Sequence, residues 1–191
     1  DILTRRRKLT DSELLVCCDP ISRAEIEEKE EIYGGEKNFY KLTFNDRIEK
    51  VKIFSNVEID SYETTHTQFS MGCVITTPQG KRIAFTGDML DDGKFKEKVK
   101  SCDILISEAT YPLSRADKCS VYCHMSNQQA ERLQIELNAK YLVMVHTSPS
   151  YAPNEFVRNN KNSIYGFDYL CITDINIQDV FESFDSVSIF P

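Results

Sequence analysis

Apolar residues come in short blocks separated by charged or turn-forming residues, a pattern of alternating strands and helices. Residues 1–33 read as helix, strand, helix. A polar, basic opening leads into the run Leu14-Leu15-Val16-Cys17-Cys18, and Asp19-Pro20 then begins a Glu-rich helix that Gly34-Gly35 ends. From Phe39 to Tyr62 the alternation has period two, as in Val51-Lys52-Ile53-Phe54 and Val57-Glu58-Ile59, which predicts half-exposed strands of a mainly antiparallel edge. Gly72 to Thr77, Arg82 to Thr86, Ile104 to Ile106 and Tyr141 to Val145 are compact apolar runs bounded by turn residues, as buried strands should be. Between the last two, Ser126-Asn127-Gln128-Gln129 has the form of a capping box, and Ala130, Leu133 and Leu137 follow at helical spacing up to Asn138. The tail from Ile164 to Pro191 reads as one or two further strands. The expected fold class is α/β, with sheets covered by helices.

Composition narrows the setting. A length of 191 residues suits one domain spanning 1–191. The chain lacks both the long apolar run of a membrane span and the pattern of a signal peptide, so no membrane partner is expected. Seven cysteines, an odd number scattered through strand-like and helix-like segments, point to a reducing, intracellular compartment rather than a disulfide framework. A formal charge of −7 means that a polyanionic partner needs a local basic patch or help from elsewhere. Arg5-Arg6-Arg7-Lys8 is the dense basic cluster, and on its own it reads more readily as a solvated helix end. The chain opens on Asp1 within structured-looking sequence, so a fragment is expected.

Of only three histidines, His66 and His146 stand at the ends or edges of predicted strands, as does the acidic strand end Gly87-Asp88. Side chains placed where strands stop can converge on one rim of an α/β domain. Imidazole nitrogens and a carboxylate oxygen suit zinc, and a bridging carboxylate suits a pair of ions. Taken singly, each histidine is more readily a packed or surface residue. Cys119, Cys123 and His124 could be read as a zinc knuckle, but no second pair lies at a fitting distance.

Five ordered segments carry a resemblance to the tRNase Z (ribonuclease Z) family of the metallo-β-lactamase superfamily. His66-Thr-Gln-Phe-Ser-Met-Gly72 is similar to the family segment with a metal-binding histidine followed by glycine. Lys81 to Asp88 resembles the strand ending in Ser-Gly-Asp, whose aspartate bridges two zincs. Asp103-Ile-Leu-Ile-Ser-Glu-Ala-Thr110 resembles the motif His-Glu-Ala-Thr, with Ser107 in the first place. His124-Met-Ser126 is similar to His-Ser-Thr, and Tyr141 to Ser148, followed by Tyr151, to the closing strand that carries another ligand histidine. The likeness is colinear over roughly residues 1–175.

The resemblance implies a metallo-β-lactamase fold, an αββα sandwich, incomplete at the amino end because the family's His-x-His-x-Asp-His is absent. It implies His66, Asp88 and His146 as metal ligands for two Zn2+ ions in the complete protein. Glu108 and His124 are then the catalytic pair that relays a proton to the leaving 3′ oxygen. The implied activity is removal of the 3′ trailer of precursor tRNA, with the chain as given an inactive fragment. The opening segment and acidic helix look like the long form, in which an amino-terminal half of the same chain replaces the homodimer of the short form. Met89-Leu90-Asp91 and Pro149-Ser150 depart from the family pattern. A non-catalytic scaffold subunit of the same fold, or another phosphodiesterase of the superfamily, is the alternative.

Overall fold

The structure is a computed structural model and describes residues 13–33, 41–45, 51–53, 56–168, 170–173 and 176–183. The opening helix and the basic cluster of the sequence reading lie outside these residues. Two compact units are present, 1–49 and 50–191.

In the first unit, β1 (Glu13–Cys17) pairs in parallel with β2 (Lys41–Asn45), and α1 (Pro20–Tyr33) lies between them in sequence. Asp19 caps α1: its carboxylate accepts from the main-chain N–H of Ile21 at 2.8 Å and Ser22 at 3.0 Å. Arg23 lies over the Phe44 ring at 4.9 Å.

The second unit is built on a seven-stranded sheet whose strands stand in chain order. These are β3 (Val51–Ile53), β4 (Val57–Glu63), β5 (Met71–Thr76), β6 (Arg82–Phe85), β7 (Ile104–Glu108), β8 (Tyr141–Val145) and β9 (Ser163–Tyr165). β3 to β6 pair antiparallel, and β6 to β9 parallel. Because β4 and β6 both oppose β5, they point the same way, and the carboxyl ends of β4, β6, β7 and β8 share one rim. That rim positions the site.

Side-chain alternation divides the sheet into two apolar faces. Val74, Ala84, Leu105, Leu142 and Met144 join Leu133 and Leu137 in the larger core. The intervening residues Ile104, Ile106, Tyr141, Val143 and Val145 pack with Ile164 and Phe181. Leu133 comes from α4 (Asn127–Glu136), which the expected capping box starts: Ser126 Oγ accepts from Gln129 N at 3.3 Å, and Gln129 Oε1 from Ser126 N at 2.8 Å. Two short helices, α2 (Lys96–Val99) and α3 (Asp117–Tyr122), precede it. Phe181 belongs to α5 (Ile177–Ser183), which corrects the reading of the tail as strands alone. Its apolar residues recur at helical rather than alternating spacing, with Ile177, Val180 and Phe181 turned to the second core.

Candidate active site

Each predicted site residue is carried to the shared rim by the element before it. His66 lies just past β4. Gly72 backs this segment, since a Cβ there would sit 2.5 Å from the Tyr62 ring. Asp88 follows β6 through Gly87, whose φ of +61° is a left-handed conformation. Glu108 is the last residue of β7, and His146 the first beyond β8. His146 itself has a φ of +57°, uncommon for a non-glycine residue and held by hydrogen bonds on either side: Ala109 N to Val145 O at 2.8 Å and Ser148 N to Thr110 O at 3.0 Å. His124 enters from the α3–α4 connection, where left-handed Cys123 ends α3 and the Tyr111–Ser126 bridge fixes the segment.

The structure brings all five residues together. His66 Nε2 lies 4.0 Å from Asp88 Oδ2, and His146 Nδ1 lies 3.3 Å from Asp88 Oδ1. The His124 ring stands between the other two, with centroids 4.6 Å from His66 and 5.4 Å from His146. Glu108, 1 % exposed, is the buried anchor. Its carboxylate accepts hydrogen bonds from the main-chain N–H of Met89 and, at 3.1 Å, of Met125. It also accepts from the Thr110 hydroxyl at 2.5 Å and lies 3.1 Å from His124 Nδ1. An ionised carboxylate only accepts, so His124 Nδ1 carries the proton and Nε2 is left free.

Thr110 is the residue to which the sequence reading gave no role. Its hydroxyl donates to Glu108, and its oxygen lies 2.9 Å from His146 Nδ1 and 3.3 Å from His124 Nδ1, tying the carboxylate to both rings. Its place two residues beyond Glu108, on the exit from β7, was the available signal.

Three residues in or next to the segments that depart from the pattern have local roles. Met89 is fully buried, so its side chain serves the core while its N–H serves Glu108. Ser107 is also buried, and its hydroxyl donates to the Glu108 carbonyl at 3.0 Å. Tyr151, beyond Pro149-Ser150, shares its hydroxyl between the carbonyls of Ala109 and Tyr111, each at 2.8 Å.

Two imidazoles and a partly exposed carboxylate form a donor set suited to zinc. Asp88, His124 and His146 offer ligand atoms within 4.8 Å of one another, the one such group among the described residues. His66 lies outside that group, with its Nε2 4.0 Å from Asp88 Oδ2. Its Nδ1 nevertheless lies 3.0 Å from the Cys123 carbonyl, and donating there frees Nε2 toward Asp88, an arrangement that orients a ligating imidazole. Neither Cys119 nor Cys123 joins the group. Burial pushes the Cys119 thiol up to about 11.

No protein-family model matches the chain. Ribonuclease Z of Bacillus subtilis strain 168 is 29 % identical over 99 residues, covering 48 % of this chain and 32 % of that protein. Human tRNase Z, short form, superposes with a TM-score of 0.68 at 19 % identity, over 90 % of this chain and 71 % of that one. Zn(2+)-bound PqqB from Methylobacterium extorquens gives 0.63 at 11 % identity, over 90 % and 68 %. The chain accordingly has the metallo-β-lactamase fold. Within that class its sequence relatives are ribonuclease Z proteins, and it spans about a third of the length of the first of them.

Proposed function

We propose that the protein is a zinc-dependent endoribonuclease that removes the 3′ trailer of precursor tRNA, and that this chain carries its proton relay and part of its metal site. The observation that carries the reading is the Glu108–His124 pair. Strand-end metal ligands suit many hydrolytic reactions, whereas a buried carboxylate orienting an imidazole beside them provides a proton for a departing oxygen. The ribonuclease Z relatives supply the reaction class.

His66, Asp88 and His146 would hold the metal, with Asp88 shared between two ions. Bound zinc supplies a Lewis acid that neutralises charge on the phosphoryl oxygens and acidifies water. Glu108 accepts from His124 Nδ1, fixes the ring and stabilises its protonated form. In its doubly protonated form His124 gives the Nε2 proton to the 3′ oxygen as a water oxygen bonds to phosphorus and the P–O bond to that 3′ oxygen breaks. Thr110 keeps His146 and Glu108 in register. His66, Asp88 and His146 would give each ion one imidazole and a shared carboxylate, fewer than the roughly three or four protein ligands of a tight zinc site. The chain is expected to hold fewer than two tight zincs and to leave RNA uncut. Its charge of −7 also fits a substrate gripped by a second copy or by an amino-terminal half of the same chain.

Cleavage of a trailer-bearing precursor tRNA by the full-length protein in saturating zinc tests the assignment. The expected product is the trimmed tRNA together with the released trailer. Intact precursor at the end of that incubation would overturn the assignment.

A further inference from the structure

Beside His124 lies an aromatic surface that the proton relay does not use. The Tyr111 ring meets the His124 ring edge-on, with centroids 6.1 Å apart and planes at 75°. The Tyr122 ring lies 6.4 Å beyond Tyr111 at 41°. The Tyr111 main chain is held on both sides. Its N–H donates to Met125 O at 3.1 Å, and its carbonyl accepts from Asn127 N at 3.0 Å and Tyr151 Oη at 2.8 Å. Tyr122 ends α3 and is 55 % exposed, so its ring is accessible to a ligand. Val121 and Leu113 are exposed on the same segment, as are the cations Arg115 and Lys118.

Aromatic rings interleaved with exposed cations are what single-stranded nucleic acid binds, since every base has a face to stack and every linkage a charge. The site's position selects the occupant. A phosphodiester whose leaving oxygen reaches His124 must have a nucleotide on either side of it, and the Tyr111–Tyr122 surface adjoins that point. Stacking also suits so acidic a chain, because it draws affinity from a source other than the overall field. Resting on the RNA-cleaving reading above, we propose that Tyr111 and Tyr122 form a stacking site for an unpaired base next to the cleaved linkage, with Arg115 and Lys118 flanking the RNA backbone.

The test uses the full-length protein and a trailer-bearing precursor tRNA carrying 2-aminopurine in the unpaired segment next to the cleavage position. Binding is followed by fluorescence in chelator, and cleavage is followed separately in zinc. Stacking should quench the probe on binding. Tyr122→Ala should remove most of the quench and raise KM about tenfold, with the larger part of the loss in KM rather than kcat. Tyr122→Phe should retain both the quench and KM. Equal quenching by wild type and Tyr122→Ala would overturn the proposal. Quenching that needs Tyr122, without cleavage in zinc, would uphold the stacking site and defeat the reaction assignment.

Discussion

Replacing Glu108 with glutamine tests whether the buried carboxylate is the organising acceptor of the site. One carboxylate oxygen faces the Met89 N–H and the other the Met125 N–H, and main-chain donors cannot turn round. In Glu108→Gln, either amide rotamer sets its NH2 against one of those N–H groups. Leaving a buried donor unpaired costs about 1–3 kcal/mol, and the lost acceptor was charged, so the expected destabilisation is about 2–4 kcal/mol. Removing a buried charge works in the opposite direction. Four donors around Glu108 make the loss of acceptance the larger effect. For a chain of this length the melting temperature should fall by about 5–15 °C. Urea unfolding of wild type and variant, followed by circular dichroism at pH 7 in chelator, measures the change without any contribution from metal. An unchanged or raised midpoint would show that burial of the charge outweighs its hydrogen bonds, and the argument for a preorganised relay would fail.

Gly87→Ala should lower the melting temperature and weaken zinc binding together. A Cβ there would lie 2.7 Å from the Met71 carbonyl, and the residue's φ of +61° costs an alanine about 1–2 kcal/mol. Calorimetry with a chelating-dye competition checks both effects, and wild-type values in each would contradict the reasoning. Asp103 predicts a pH dependence. Its hydrogen bond from Lys140 at 2.7 Å, helped by the Arg82 N–H at 3.0 Å, holds its carboxyl below the ordinary 3.8. A depressed carboxylate contributes stability that is present above its unfolded value of about 3.9 and is lost as pH falls through the lower folded value. Asp103→Asn should therefore be less stable than wild type in urea at pH 7 and converge with it as pH falls below that range. A gap that stays constant with pH would exclude the linkage.

The sheet was legible where strands are buried on both faces. Tyr141 to Val145 has identical bounds in the sequence reading and the structure, because a continuous apolar run between turn residues leaves little choice. The α4 start was legible because Ser126 and Gln129 signal a capping box locally. The strand at β7 was read short, since Ser107 and Glu108 are polar yet buried and their pairing with Met144 and Val145 is a tertiary fact. α5 was missed because its helical spacing rests on only three apolar residues, Ile177, Val180 and Phe181, in a polar stretch. Within the site, the sequence placed residues at strand ends but could not rank them by distance. Asp88, His124 and His146 offer ligand atoms within 4.8 Å of one another, a proximity that spacing along the chain does not state. Thr110 gained its role only through the meeting of β7 with two loops.

The most direct test of the account is whether His124 protonates the leaving oxygen. Precursor tRNA can be prepared with the cleaved 3′ oxygen replaced by sulfur, which leaves readily without a proton. In full-length protein with zinc, His124→Ala should slow cleavage of the oxygen substrate about 10²–10⁴-fold while cutting the sulfur substrate at a rate close to wild type. Equal losses on both substrates would contradict the proton relay from His124.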